Sequence, residues 1–297
     1  MDVLRYAAFT NNPEGGNPAG VVLDASGADA TKMAAVASEV GYSETAFVEP
    51  RGQGHMNVRY FSPGTEVPFC GHATIATAVA HADRYGVGDL TFHTKAGTVP
   101  VSTTVATDGS VVATLVSVPP RTESITEAQL GDLLKVLGWS ATDLDPALPP
   151  RVTYAGACHP VIAAAEESRL ADLHYDMAEL AELMDRHGWV TINMIRRESA
   201  TVFHSRNAFP PGGVVEDPAC GAAAAALGGY LRKLELIDLP ATLTVLQGHH
   251  MGRPSTISVT IPQCMESGIS VTGTAVPITH TPTELQLAQQ LRSITEG

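Results

Sequence analysis

Basic residues are scarce in this sequence, and that scarcity is the first constraint on function. Eighteen Lys and Arg stand against 31 Asp and Glu, a formal net charge of -13, with no cluster of Lys or Arg. Such a surface repels nucleic acid and anionic membrane, leaving a small molecule as the expected partner. Long apolar runs are also missing. The longest, around residues 73–80 and 219–231, are too short to span a bilayer. The opening MDVLRYAAFTNNP has no basic stretch followed by an apolar one, so it does not read as a signal peptide, and a cytoplasmic location is expected. Only four cysteines are present, Cys70, Cys158, Cys220 and Cys264, too scattered for a disulfide framework. Apolar material is not lacking. With 44% hydrophobic residues the chain can fill a core, and its length predicts two domains of roughly 130 to 150 residues each.

One pattern occurs twice. Residues 66–76 read EVPFCGHATIA and residues 216–226 read EDPACGAAAAA, so Glu66, Pro68, Cys70, Gly71, Ala73 and Ala76 match Glu216, Pro218, Cys220, Gly221, Ala223 and Ala226. A single offset near half the chain length points to an internal duplication rather than a repeat array. Each motif precedes a helix-compatible segment of small residues, ATIATAVAHADRYG and AAAAALGGYLRKLEL. A helix apolar on nearly every side is buried all round, and its Ala and Gly let neighbouring backbone come close. Strand-like segments flank both rods, with further helices expected at residues 29–40 and 127–137 and one over residues 167–188. The predicted architecture is α+β, two pseudo-symmetric halves that each wrap a β-barrel-like sheet around a central helix. Pro119 and Pro120 mark the boundary: residues 1–120 form the first half and 121–274 the second. The tail, 275–297, packs back on the first half, and the active site lies in the cleft between the halves.

A Cys-Gly pair at a helix start places the thiol among unpaired backbone N–H groups. That location lowers a thiol pKa from ~8.5 into a range of roughly 3.5 to 7.5. Gly71 and Gly221 would let a ligand carboxylate approach those amides. The duplication is imperfect in a useful way: His72 stands opposite Ala222, and Asp217 opposite Val67. The first half thus offers an imidazole and the second a carboxylate, groups suited to acid–base work. Cys70, His72, Cys220 and the pair Cys158–His159 include zinc-ligand types, but the spacing matches no common zinc pattern and no metal is expected. Cys158 and Cys264 lack a comparable setting and read as core residues.

FTNNPEGGNPAGVVL, GYSETAFV, VRYFSPGTEVPFCGHATIATA, VVEDPACGAAAAALGGYL and LQGHHMGRPSTISV, in this order through nearly the whole chain, resemble the PhzF-like (phenazine biosynthesis-like) family. The resemblance implies the diaminopimelate epimerase-like fold, a secondary-metabolism isomerase without cofactor, and a homodimer. It also implies that Glu44 of the SET stretch shuttles the proton beside Ser43, with His72 and Asp217 as further active-site groups. This sequence departs from the family pattern, close to EDPATGSA, by carrying Cys220 for Thr and Ala222 for Ser. Cys220 opposite Cys70 instead resembles the two-cysteine epimerases and racemases of the same fold.

Three readings follow. In the first, a cofactor-independent isomerase moves a proton on carbon of a small amino-acid-derived or unsaturated carboxylate through Glu44. His72 and Asp217 assist, and Ser43, Gly71, Gly221 and Ala222 line the substrate. In the second, Cys70 and Cys220 form the acid–base pair of a racemase or epimerase. The third is a noncatalytic metabolite- or zinc-binding protein.

Overall fold

The computed structural model describes residues 1–279; most of the tail expected to pack back on the first half, residues 280–297, lies outside them. The first half runs β1 (Leu4–Ala8), β2 (Asn17–Val22), α1 (Ala30–Val40), β3 (Glu44–Gly52), β4 (His55–Phe61), β5 (Glu66–Val67), α2 (Gly71–Tyr85), β6 (Asp89–Thr94), β7 (Gly97–Val105) and β8 (Val111–Val116). The second follows the same recipe with extra helices: β9 (Arg121–Ser124), α3 (Glu127–Val136), β10 (Arg151–Tyr154), β11 (Cys158–Ala163), α4 (Glu167–Ala171), α5 (Met177–His187), β12 (Ile192–Arg197), β13 (Val202–Phe209), β14 (Val214–Asp217), α6 (Gly221–Lys233), β15 (Ala241–Gln247), β16 (Ser255–Ile261) and β17 (Ser270–Pro277).

Strand pairing closes both halves. In the first, the ring runs β1, β2, β3, β4, β6, β7, β8 and β17, with β17 returning to β1. In the second it runs β10, β11, β12, β13, β15, β16, β17 and β8, whose continuation β9 pairs with β10. The two barrels therefore share the antiparallel pair β8 and β17. At its centre Thr114 faces Thr272, their hydroxyls 2.7 Å apart. β17, late in the chain, completes the first barrel because it pairs with both β8 and β1.

Side-chain alternation fixes which face of each strand turns inward. Along β16, Ser255, Ile257, Val259 and Ile261 are buried while the residues between them are not, the period of two expected of a one-sided strand. The helices α2 and α6 thread the barrels, and nearly every side chain on them is buried. One apolar core spans both barrels. A second lies outside the C-terminal barrel, where Leu133, Leu180 and Met184 of α3 and α5 cover Ile192 and Met194 of β12. α1 covers Phe47 and Phe61 in the same way on the first barrel.

The helix expected over residues 167–188 is broken. α4 stops where Arg169 Nη2 donates to both the Asp172 backbone carbonyl and its carboxylate, and α5 restarts where Asp176 accepts from the amides of Ala178 and Glu179. An aspartate that caps a helix start competes with passage through it, so the apolar spacing continues while the backbone does not. Among the described residues no helix is long and apolar enough to cross a membrane.

Close packing of the second rod depends on absent side chains. A Cβ on Gly229 would sit 2.3 Å from Pro120 Cβ, so the segment leaving the first barrel rests directly on the α6 backbone. Gly131 in α3 faces open space. Gly229→Ala is expected to lower stability by about 1–3 kcal/mol through overpacking, whereas Gly131→Ala should raise it by about 0.5–1 kcal/mol through helix propensity. Urea midpoints of the two variants at equal m-value check this, and an unchanged midpoint for Gly229→Ala would contradict the packing.

Candidate active site

The two rods point their N-termini at one another. A Cβ on Gly71 would lie 3.7 Å from Gly221 Cα and 3.8 Å from the Ala222 nitrogen, so the helix starts meet backbone to backbone. Cys70 and Cys220 occupy the N-cap positions in extended conformation, yet neither makes a side-chain cap hydrogen bond. α1, α3 and α5, in contrast, are capped by Asp29, Thr126 and Asp176. The first-turn amides of α2 and α6, with the positive ends of two dipoles, are therefore turned toward the same small space and suited to an anion.

Around that space the sequence-predicted residues gather. α1 ends at Gly41 in the left-handed conformation, and the chain turns directly into β3, bringing Ser43 and Glu44 to the cleft. Glu44 Oε2 lies 3.3 Å from His72 Nε2, and Ser43 Oγ lies 3.4 Å from the same nitrogen. Cys70 Sγ is 3.4 Å from His72 Nδ1. Asp217, at the end of β14, joins this group through a residue that sequence reasoning did not single out. Asn17 Nδ2 contacts Asp217 Oδ1 at 2.6 Å, His72 Nδ1 at 3.0 Å and the Ala219 carbonyl at 3.1 Å. Gln247, also missed, donates to the Asp217 carbonyl at 2.6 Å and accepts from the Cys220 N–H at 3.3 Å. Both lie in the stretches FTNNPEGGNPAGVVL and LQGHHMGRPSTISV, but an Asn before Pro and a Gln before Gly read as turn residues.

His72, Asp217, Asn17 and Gln247 are buried, whereas Ser43, Glu44, Gly71, Cys220 and Ala222 keep partial exposure, so the space opens on the side of Glu44 and the two helix starts.

The thiols correct the expectation of thiolates. Burial raises the pKa of Cys70 well above the ordinary thiol value, and the negative charges of Glu44 and Asp217 raise it further. Burial and Asp217 push Cys220 up likewise. The helix amides of Ala73 and of Ala222 and Ala223 oppose the rise but do not offset it. Asp217 is also displaced upward, chiefly by burial, with His72 and the Ala219 amide pulling the other way. Cys264 is a second correction: it is exposed, on the connection between β16 and β17, and Cys158 is only partly buried. Cysteine spacing carries no information on which loop faces water.

The duplicated glutamates have a structural role. Arg59 holds Glu66 through two hydrogen bonds of 2.7 and 2.8 Å, and Arg206 holds Glu216 with its Nη2 at 2.6 Å. Each ion pair pins the short strand, β5 or β14, from which a Cys-Gly motif departs. The halves differ where the chemistry lies. Thr191 follows Gly188 by three residues, as Glu44 follows Gly41. It closes a buried chain with His159 Nδ1 (2.9 Å) and Asn207 Oδ1 (2.8 Å), and burial lowers the His159 pKa to about 4.

Among the described residues, Glu44, Cys70 and His72 are the group of metal-ligand types whose donor atoms lie within 4.8 Å of one another. His159, considered with Cys158 for zinc, turns instead to Thr191. The trio fits an ion poorly. Binding through His72 Nε2 would put the ring proton on Nδ1, which faces the Asn17 amide nitrogen and the Cys70 sulfur.

Residues 6–281 match the model of the family described as phenazine biosynthesis-like protein. The trans-2,3-dihydro-3-hydroxyanthranilate isomerase of Pseudomonas chlororaphis is 34% identical over 252 residues, 84% of this chain and 86% of that protein. An uncharacterized isomerase of Deinococcus radiodurans is 33% identical over 268 residues, 87% of each chain. The crystal structure of a Bacillus anthracis phenazine biosynthesis protein of the PhzF family superposes with a TM-score of 0.84 at 28% identity, covering 94% of this chain and 98% of that one.

The ion pair beneath the first motif is testable by pH. Arg59, with Lys95 adding to it, lowers the Glu66 pKa from 4.5 to about 2. A depressed carboxyl contributes stability that is fully present above its unfolded value and is lost as pH falls through its folded value. Glu66→Gln should therefore cost about 1–3 kcal/mol at neutral pH, discounted for partial exposure. The gap to wild type should narrow as pH drops from 4.5 toward 2. A gap that stays constant over that window, followed by denaturant unfolding, would remove the ion pair from the account.

Proposed function

We propose that this chain, which belongs to the phenazine biosynthesis-like protein family and is an isomerase, relocates a proton between carbons of a small unsaturated carboxylate, with Glu44 as its carrier. The observation that carries this reading is a contrast within one pocket. Glu44 Oε2 sits 3.3 Å from His72 Nε2, whereas burial holds both thiols above their ordinary pKa. A group that gives and takes a proton works best when its pKa is near the operating pH. Two thiols kept as S–H meet that condition poorly, and the carboxyl in contact with the imidazole is the remaining candidate.

In the proposed reaction Glu44 removes a proton from one carbon of a conjugated substrate, the double bond shifts, and the same carboxyl returns the proton to another carbon on the same face. No atom is oxidised or reduced, so the step needs no redox partner. Charge that develops in the transition state spreads toward the substrate carboxylate, where the amides opening α2 and α6 favour it. This is the physical support for a cofactor-independent reaction. His72 and Asp217 orient the carrier and the substrate, and Ser43, Gly71, Gly221 and Ala222 line it. The named substrate of the Pseudomonas chlororaphis relative, trans-2,3-dihydro-3-hydroxyanthranilate, has the required unsaturated amino-carboxylate chemistry and is the first compound to test. A small-molecule partner, a homodimer and a cytoplasmic location belong to the same proposal.

The matched placement of Cys70 and Cys220 at facing helix starts supports the second reading, a two-thiol racemase. Proton NMR of the reduced protein in D2O, with that compound and a panel of amino acids and prolines, separates the two. The expected result is deuterium entry with a shifted double bond, an effect cut at least ~100-fold by Glu44→Gln and little changed by Cys220→Ser. Deuterium at an α carbon with growth of the opposite enantiomer, abolished by Cys220→Ser, would overturn the Glu44 reading.

A further inference from the structure

We infer that Asn17 is a positioning residue that fixes the tautomer of His72, keeping the ring proton on Nε2, toward Glu44, and the lone pair on Nδ1. Asn17 opens β2, is 2% exposed, and reaches across the cleft to a residue 200 positions later. Its side-chain nitrogen has three neighbours within 3.1 Å: Asp217 Oδ1, the Ala219 carbonyl and His72 Nδ1. The carbonyl oxygen can only accept, and Asp217 Oδ1 already accepts from the Ala219 N–H at 3.1 Å. With the amide reversed, its oxygen would face two acceptors and lose both bonds, so the surroundings themselves set the amide orientation.

The consequence passes to the imidazole. His72 Nδ1 confronts an NH2 group on one side and the Cys70 thiol at 3.4 Å on the other. The amide nitrogen, whose two hydrogens are shared among Asp217, Ala219 and Nδ1, accepts no hydrogen bond, and burial keeps the thiol protonated. A proton on Nδ1 would point at donors, and a lone pair there is satisfied. In the neutral ring the proton then resides on Nε2, aimed at Glu44 Oε2 and Ser43 Oγ. His72 then donates a hydrogen bond to the Glu44 carboxylate. The charged groups facing the ring are Glu44 from β3 and Asp217 from β14. Asn17 presents no acceptor to a proton at Nδ1.

The backbone of Asn17 is held in place from the other half of the molecule. Arg253 donates through Nε to the Gly16 carbonyl at 2.8 Å and through Nη2 to the Gly15 carbonyl at 2.5 Å, and the Gly16 N–H donates to the Pro254 carbonyl at 3.1 Å. The amide that sets the tautomer is thus positioned by both barrels.

The tautomer rests on the hydrogen-bond geometry and the buried Cys70 thiol; its effect on rate rests on Glu44 being the proton carrier. Nitrogen-15 NMR of full-length protein labelled at histidine, with His72→Ala used for assignment, reads the tautomer without any substrate. Wild type is expected to show an unprotonated Nδ1 and a protonated Nε2. In Asn17→Asp, which offers Nδ1 an acceptor, the proton should move to Nδ1 or the ring should become imidazolium. Rescue by Asn17→Gln is not expected, because the longer side chain misplaces the NH2 group. A wild-type ring carrying its neutral proton on Nδ1 overturns the inference even if no variant folds, and so does Asn17→Asp with an unchanged tautomer. If Glu44 carries the proton, kcat of Asn17→Asp falls about 10-fold or more with a smaller change in KM. A shifted tautomer with kcat unchanged would leave the Asn17 assignment standing and count against Glu44.

Discussion

The approach of two helix starts, Gly71 against Gly221, is the constraint on which the rest of this molecule depends. A Cβ at either position would already be in van der Waals contact with the other helix start, so a longer side chain would have to occupy the space that the two sets of first-turn amides share. Two positive dipole ends facing each other repel, so the arrangement has to be held by the surrounding structure. The barrels supply that force. Each buries most of an Ala-rich rod, and the β8–β17 pair, joined at Thr114 and Thr272, ties the two barrels together. The repulsion that remains at the centre is relieved by negative charge, from Glu44 and Asp217 in the protein and from a carboxylate substrate in the proposed reaction.

A contest between two fields decides what the cysteines are. A helix N-terminus lowers a thiol pKa, whereas removal from water and nearby carboxylates raise it. At Cys70 and Cys220 the second pair of effects wins, because the space that brings the amides together lies largely beneath the surface and admits two acidic side chains. Position on a helix is readable from sequence; the identity of groups that arrive from strands far along the chain is not. Cys70 consequently stands as a neutral thiol beside the imidazole, and Cys220 as one beside Asp217.

Duplication built the scaffold twice and the chemistry once. The ion pairs Arg59–Glu66 and Arg206–Glu216 persist in both halves because both motifs need the same mechanical anchor. Where the first half has Glu44 and His72, the second has Thr191 and Ala222, and its polar groups are consumed in a closed chain from His159 to Asn207. Where the second half has Asp217, the first has Val67. An asymmetric pocket results, with Glu44 and His72 on one side and Asp217 on the other, linked by the single amide of Asn17.

Much of this was legible in the sequence. The offset of 150 between the Cys-Gly motifs, the small-residue runs after them and the alternating strands determine two barrels around two rods, because burial patterns follow the periods of helix and strand. Glu44, His72 and Asp217 stood out through motif and resemblance, and they do converge. Tertiary structure alone decided the remainder. It broke the helix at Asp172–Asp176, where capping competes with apolar spacing, and it turned Cys264 to water. It raised the thiols by burial, and it brought Asn17 and Gln247 into the site from positions that read as turns. Local pattern records what a segment does with its own neighbours; charge, tautomer and acidity are set by groups that meet only after the chain has closed.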